Sequence, residues 1–290
     1  MAKQSSANKR KSGKEQYYTD SAVVDICMKE VVKHIDLSNV NLLEPAGGTG
    51  EFIEGFKRFG VPENCILSYD IEPKHPLVKE ASFFDVDITR GSKPLVCITN
   101  PPFGRANSLS KKFFNHAAKS CDYICFLIPK SWRKWSVMNS LDSSFHLVSD
   151  IEMPSNCFYL PDGSRKEKDV LKTVFQIWEK RPAQRKKIVI PDHGLITKVK
   201  GLKSGDNVDA DFSMVVFGYS CGRITKLDSP TPYKTTTYYF KTNRPEVIED
   251  LQKIDFSEFY NNVAYVEALS LAEINYKLND YYKLPNFSFK

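Results

Sequence analysis

Leu95-Val96-Cys97-Ile98-Thr99-Asn100-Pro101-Pro102-Phe103 is the stretch on which the fold turns. Its first four residues are apolar and read as a buried parallel strand. Two consecutive prolines end that strand, because each fixes φ and neither donates to a ladder. The chain therefore leaves the sheet as a rigid turn at the strand's carboxyl end, the edge where open α/β sheets bind ligands. The turn presents the amide oxygen of Asn100, backbone carbonyls held in place by Pro101 and Pro102, and the ring of Phe103. That set suits a planar amino group on a heterocycle: fixed acceptors take its two N–H protons while the ring stacks. As the protons are drawn away, the nitrogen lone pair becomes less delocalised and more nucleophilic. An Asn-Pro-Pro turn by itself is also an ordinary loop closure, so the upstream sequence carries the decision.

Upstream, Val40-Asn41-Leu42-Leu43 runs into Glu44-Pro45-Ala46-Gly47-Gly48-Thr49-Gly50, and a helical pattern follows at Phe52, Ile53, Phe56 and Phe59. Strand, glycine-rich turn and helix form the first unit of a Rossmann-like nucleotide-binding sheet. The glycines permit positive φ and close approach of backbone to ligand. Their spacing is neither the dinucleotide fingerprint nor a P-loop, and Glu44 repels phosphate, so a cationic or neutral ligand is expected. A second strand, Cys65 to Tyr69, ends at Asp70, followed by Ile71-Glu72-Pro73. A carboxylate there accepts from both hydroxyls of a ribose. A third expected strand, Ser82-Phe83-Phe84, ends at Asp85-Val86-Asp87, where a carboxylate is placed to accept from an adenine amino group. One acid for an amino-acid moiety, one for a ribose and one for an adenine describe a site for S-adenosylmethionine.

Taken in order, E-P-A-G-G-T-G, Y-D-I-E-P, F-D-V-D and N-P-P-F resemble the motifs of the amino-directed S-adenosylmethionine-dependent methyltransferases, above all the N6-adenine methyltransferases of nucleic acids. Gln16-Tyr17-Tyr18-Thr19-Asp20 resembles that family's Y-T-P segment, which lies against the methionine end of the cofactor; Asp20 stands in place of the usual proline. The motif order resembles the gamma arrangement of DNA adenine methyltransferases, and the resemblance spans about residues 15–180. It implies a class I, Rossmann-like α/β fold with a mostly parallel central sheet. It also implies cofactor contacts at Tyr18, Thr19, Glu44, Pro45, Ala46, Gly47, Gly48, Gly50, Asp70, Ile71, Asp85 and Asn100. Catalysis falls to Asn100, Pro101, Pro102 and Phe103. In that family an aromatic residue in a later loop faces the target base opposite the N-P-P-aromatic ring; Phe158 is the choice here, with Tyr159 the alternative and a core plug the other reading of either.

Composition fits this reading. The 290 residues hold one large domain and a smaller one, and a net charge of +6 suits a polyanionic partner, DNA or RNA. Seven cysteines without a C-x-x-C pair favour thiols in a reducing compartment, and five scattered histidines offer no metal cluster. No apolar run approaches a membrane span and the N-terminus lacks a secretory core, so an intracellular, soluble chain is expected. Residues 1–14 read as a disordered basic tail. Lys130-Ser131-Trp132-Arg133-Lys134-Trp135 mixes cations and indoles after the strand Asp122 to Pro129. Lys130, Trp132 and Arg133 are candidate substrate contacts, phosphates on the cations and bases on the ring; the competing reading has a Trp sealing the core beneath solvated cations. Residues 15–182 are expected to form the methyltransferase domain, with a late antiparallel strand at Val170 to Trp178. After the charged stretch at 179–187, residues 183–290 are expected to form a small α+β extension, a candidate target-recognition element. Its strands form a compact unit of their own or extend the main sheet.

Overall fold

The structure, a computed structural model, describes residues 17–89, 91–159, 163–164 and 170–289. The basic tail and most of the 160–169 loop lie outside the described residues. The chain divides into two compact units, Met1–Arg185 and Lys186–Lys290. Arg185 stays with the first unit for a physical reason. Its guanidinium donates to the carbonyls of Met138 (2.8 Å) and Phe145 (3.2 Å) and lies 5.6 Å from the centre of the Trp178 ring.

The first unit runs β1 (Tyr18–Thr19), α1 (Ser21–Val31), β2 (Asn41–Glu44), α2 (Glu51–Arg58), β3 (Ile66–Asp70), β4 (Lys79–Glu80), β5 (Leu95–Thr99), α3 (Ser108–Ala117), β6 (Tyr123–Pro129), α4 (Trp135–Met138), β7 (Phe145–Glu152), β8 (Phe158–Tyr159) and β9 (Thr173–Lys180). Among the described residues, seven strands form one sheet in the order β4-β3-β2-β5-β6-β9-β7. Strands β3, β2, β5 and β6 pair in parallel, and β9 runs antiparallel to both β6 and β7. This is a Rossmann-like α/β architecture with a mostly parallel sheet. The chain order reverses between β2 and β5, so the glycine turn after β2 and the prolyl turn after β5 open side by side at the switch point, where such sheets bind ligands. Strands β5 and β6 are rich in apolar residues, as strands covered on both faces are; every residue of β5 and all but the first of β6 are buried.

Residues 82–84 do not form the expected strand. The strand is the two-residue β4, and Phe83–Asp85 form a single 3-10 turn. Phe83 and Phe84 both turn toward α3, with ring centres 5.4 and 5.0 Å from Phe113 and 4.7 and 5.4 Å from His116. Adjacent strand residues point to opposite faces, so a strand cannot place both rings there.

In the second unit, Thr197–Lys198, Thr237–Lys241, Phe212–Val215 and Ile224–Lys226 form an antiparallel sheet of their own in that order. Helices Glu246–Lys253, Ser257–Tyr260 and Leu271–Tyr281 follow. The last begins with a capping box in which Ser270 and Glu273 each satisfy the other's backbone N–H. Among the described residues no helix is long and apolar enough to cross a membrane.

Candidate active site

The ends of β2, β3 and β5, together with the segment leading into α1, enclose an open cavity of about 590 Å³ counting the solvent at its mouth. Tyr17, Tyr18, Thr19, Glu44, Asp70 and Asn100 line it, as do Ala46, Gly47, Gly48, Pro101 and Pro102. Pro45 and Gly50 shape the turn without lining the space. Gly47 has no room for a side chain, since a Cβ there would lie 2.4 Å from Ser68 Oγ and 2.8 Å from a Val78 methyl. Gly48 and Gly50 sit at φ +49° and +86°, which glycine adopts without strain.

Glu44 is 1% exposed. Its Oε1 accepts from the Thr99 hydroxyl and from the Ala46 N–H at 3.0 Å; Oε2 has no partner among the described residues. Burial pushes the carboxyl up to about 8, the two donors oppose the rise, and the Asp70 charge adds to it. At neutral pH the cavity therefore holds a largely protonated acid that a cationic ligand would ionise. Asp70, also buried, ties the second strand to the glycine turn: Oδ2 accepts from Gly48 N–H (3.0 Å) and Oδ1 from Glu72 N–H (2.8 Å). A carboxylate offers about four lone-pair sites, more than these two donors occupy.

Asn100 is oriented by its amide nitrogen, which donates to the Tyr17 carbonyl (3.3 Å) and to Thr19 Oγ1 (3.2 Å). A carbonyl only accepts, so this contact settles which end of the amide is nitrogen. The oxygen, Oδ1, is buried and has no partner among the described residues. The Phe103 carbonyl accepts from Leu109 N–H (3.1 Å) and Ser110 N–H (3.3 Å), pinning the prolyl turn to the start of α3. Pairing of β1 with β8 brings Phe158 opposite Thr19. The rings of Tyr17, Phe103 and Phe158 then meet with centres 5.8, 5.5 and 6.2 Å apart. Asp20, the departure from Y-T-P, caps α1 by accepting from Ala22 N–H at 2.8 Å.

Sequence reasoning missed Tyr17 and Thr99. Tyr17 had a signal, an aromatic doublet beside the named Tyr18; Thr99 had another, a hydroxyl closing an otherwise apolar strand. Ile71 is 37% exposed beside Asp70 and does not line the cavity. Asp85 is not brought to it either. Exposed, it borders a separate cavity with Phe83, Phe84 and His116.

The cluster after β6 differs from its nucleic-acid reading. Trp132 is fully buried against Phe114 and Phe126, and its Nε1 donates to Ser110 Oγ at 3.3 Å, so neither indole face is open to a base. Lys130 pairs with Glu152 at 2.7 Å. Arg133 pairs with Asp150 and Glu152 at 2.5 and 2.8 Å. These cations are engaged by carboxylates of β7 rather than presented to phosphates.

No family model and no curated protein matches the sequence. Solved structures similar to the chain include a protein of Pyrococcus horikoshii described as an RNA methyltransferase, at 14% identity and TM-score 0.46 over 61% of this chain and 95% of that one. The 23S rRNA methyltransferase ErmE is similar at 12% identity and TM-score 0.39, over 58% and 71%. The methyltransferase subunit of a type I restriction-modification system from Streptococcus thermophilus is similar at 14% identity and TM-score 0.42, over 63% of this chain and about half (49%) of its own length.

Proposed function

We propose that the chain transfers the methyl group of S-adenosylmethionine to the exocyclic N6 of adenine in DNA or RNA. The observation that carries this reading is Asn100. A buried acceptor without a partner costs roughly 1–3 kcal/mol, and here the amide is held by its nitrogen so that the oxygen, at the cavity, stays unpaired among the described residues. An amino N–H satisfies it.

The donor set fits the cofactor. Glu44 supplies an acid for a cationic amino-acid moiety, Asp70 retains acceptors for a ribose, and Gly47 and Gly48 let the backbone come close. Ile71 offers an exposed apolar surface next to Asp70 for a flat heterocycle. Asp85, exposed on a separate cavity, is dropped from the proposed contacts.

When bound, the cofactor supplies an electrophilic methyl on a positive sulfonium. The chain's own part is alignment: Asn100 Oδ1 and the Pro101 carbonyl draw on the amino protons and aim the lone pair, and Phe103 stacks on the base. Holding two reactants in line provides most of the rate gain in such displacements. No strong base is required, since the proton departs to water after transfer. Two stacked layers on either side of a base need about 7 Å between ring planes. The trio of Tyr17, Phe103 and Phe158 is tighter than that, so it must spread to admit a base, whose extrusion from a duplex costs a few kcal/mol.

Labelled cofactor incubated with DNA, RNA and protein pools, followed by nucleoside analysis, tests the proposal. N6-methylated adenine nucleoside is the expected product. Label on protein glutamine would reassign the substrate to an amide. Binding of polymer without any transfer would leave a non-catalytic subunit.

A further inference from the structure

The sheet of the second unit has one buried face and one that is partly open, and alternation sorts them. Phe212, Met214 and Val216 are buried, while Ser213 and Val215 are partly exposed and Phe217 is about half exposed. Register puts Thr225 and Tyr239 beside Ser213, and Thr237 beside Val215, on this second side; Tyr239 and Thr237 are themselves buried, Tyr239 in a cluster with Val208 and Ala210, so the side is open only in part. An open groove of about 990 Å³, counting solvent at its mouth, runs over it.

Three properties of the groove point to one class of ligand. Two aromatic side chains stand out of it, Phe217 at 52% and Tyr219 at 93% exposure. Burying such rings is favourable, and nothing in the described chain covers them. Two cations, Arg223 and Lys234, border the groove, neither has an ion-pair partner among the described residues, and no carboxylate lines it. The backbone that carries the rings is tied down. Gly218 N–H donates to Glu267 O at 3.0 Å and Leu269 N–H to Val216 O at 2.9 Å, while Cys221 N–H closes the tip onto Gly218 O at 2.8 Å. Exposed aromatic rings on a tethered loop, among cations without an ion-pair partner in the described residues, suit unstacked bases joined by phosphates. A duplex hides its base faces, and an acidic peptide has no use for two exposed rings.

We propose that this face binds single-stranded nucleic acid, Phe217 and Tyr219 stacking on bases and Arg223 and Lys234 pairing with phosphates. It deepens the functional reading above by giving the polymer a holding surface, yet it stands on separate residues and is testable without methyl transfer.

The full chain is titrated against fluorescein-labelled oligo-dT and oligo-U, which lack the target base, with binding read by anisotropy over a range of salt. Wild type binds at least one of them. Phe217→Ala with Tyr219→Ala weakens binding about tenfold or more, the scale of losing base stacking, with the salt slope unchanged. Arg223→Ala with Lys234→Ala lowers the slope by about 1.4, two phosphates at about 0.7 each. All four side chains are exposed, so unchanged melting and cofactor affinity show an intact fold. Absence of wild-type binding, unchanged binding by both double variants, or equal affinity for a duplex of the same length overturns the proposal. The two readings fail separately. Methyl transfer to adenine with normal oligonucleotide binding by the variants removes only this face. Loss of binding by the variants in a chain that methylates no nucleic acid removes only the reading of the active site.

Discussion

Replacing Glu44 with Gln tests the electrostatics of the cavity at its deepest group. In the free protein burial holds this carboxyl near 8, against an ordinary value near 4.5. At pH 7 roughly nine in ten copies are then protonated. A cationic cofactor binds the ionised form, so its affinity rises about tenfold per pH unit below 8, which is about 1.4 kcal/mol per unit. Between pH 6.0 and 7.5, where an α-amino group is still largely charged, the expected gain is roughly 25-fold. Calorimetry in buffers of different ionisation enthalpy should register release of about 0.9 proton per cofactor bound at pH 7. The Gln variant removes both the slope and the proton. Stability runs the other way: folding takes up a proton between about 4.5 and 8, so stability of the free protein falls as pH rises through that window and levels off above it. The variant loses that fall as well. Affinity that is flat with pH in the wild type, or a slope that survives in Glu44→Gln, would refute the assignment of the cationic end of the cofactor to this acid.

Asn100→Ala should leave cofactor affinity within a few-fold and lower single-turnover methyl transfer by at least roughly a hundredfold, the scale of one preorganised polar contact; near-normal turnover removes the central claim. Asp70→Ala deletes a charge-assisted acceptor and should weaken cofactor binding by about 1.5–3 kcal/mol in calorimetry; unchanged affinity in a folded variant passes the ribose to Glu72. Trp132→Ala should cost about 3–5 kcal/mol in urea denaturation, as expected for emptying a buried indole site; weaker nucleic-acid binding without loss of stability would restore the stacking role.

The parts of the fold written in local sequence were legible. The apolar strand, the double proline and the glycine turn each state their own geometry, and the switch point follows from placing them in order. The Ser270–Glu273 capping box is likewise contained within four consecutive residues. What was not legible depends on partners distant in sequence. Residues 82–84 look like a strand by composition, and only α3, some thirty residues on, draws both phenylalanines to one side. The amide of Asn100 is oriented by residues 17 and 19, which nothing near the prolyl turn announces.

The segment after β6 shows why charge and aromatic content do not by themselves make a nucleic-acid surface. Asp150 and Glu152 lie two apart on β7, so they share a face of the sheet. Strand β9 lies between β7 and β6, yet Lys130 and Arg133 are long enough to reach across it. Gln176 on β9 fills the gap, donating to Asp150 Oδ2 at 2.8 Å while its own oxygen accepts from Trp178 Nε1 at 3.1 Å. Two cations meet two carboxylates, so this edge adds little net attraction for a polyanion. Drawing either cation onto a phosphate would strand a carboxylate of a partly buried network, a penalty that unpaired cations on an open face do not carry. Phosphate contacts are therefore better sought at unpaired cations such as Arg223 and Lys234 than at the cluster whose sequence looks most basic and most aromatic.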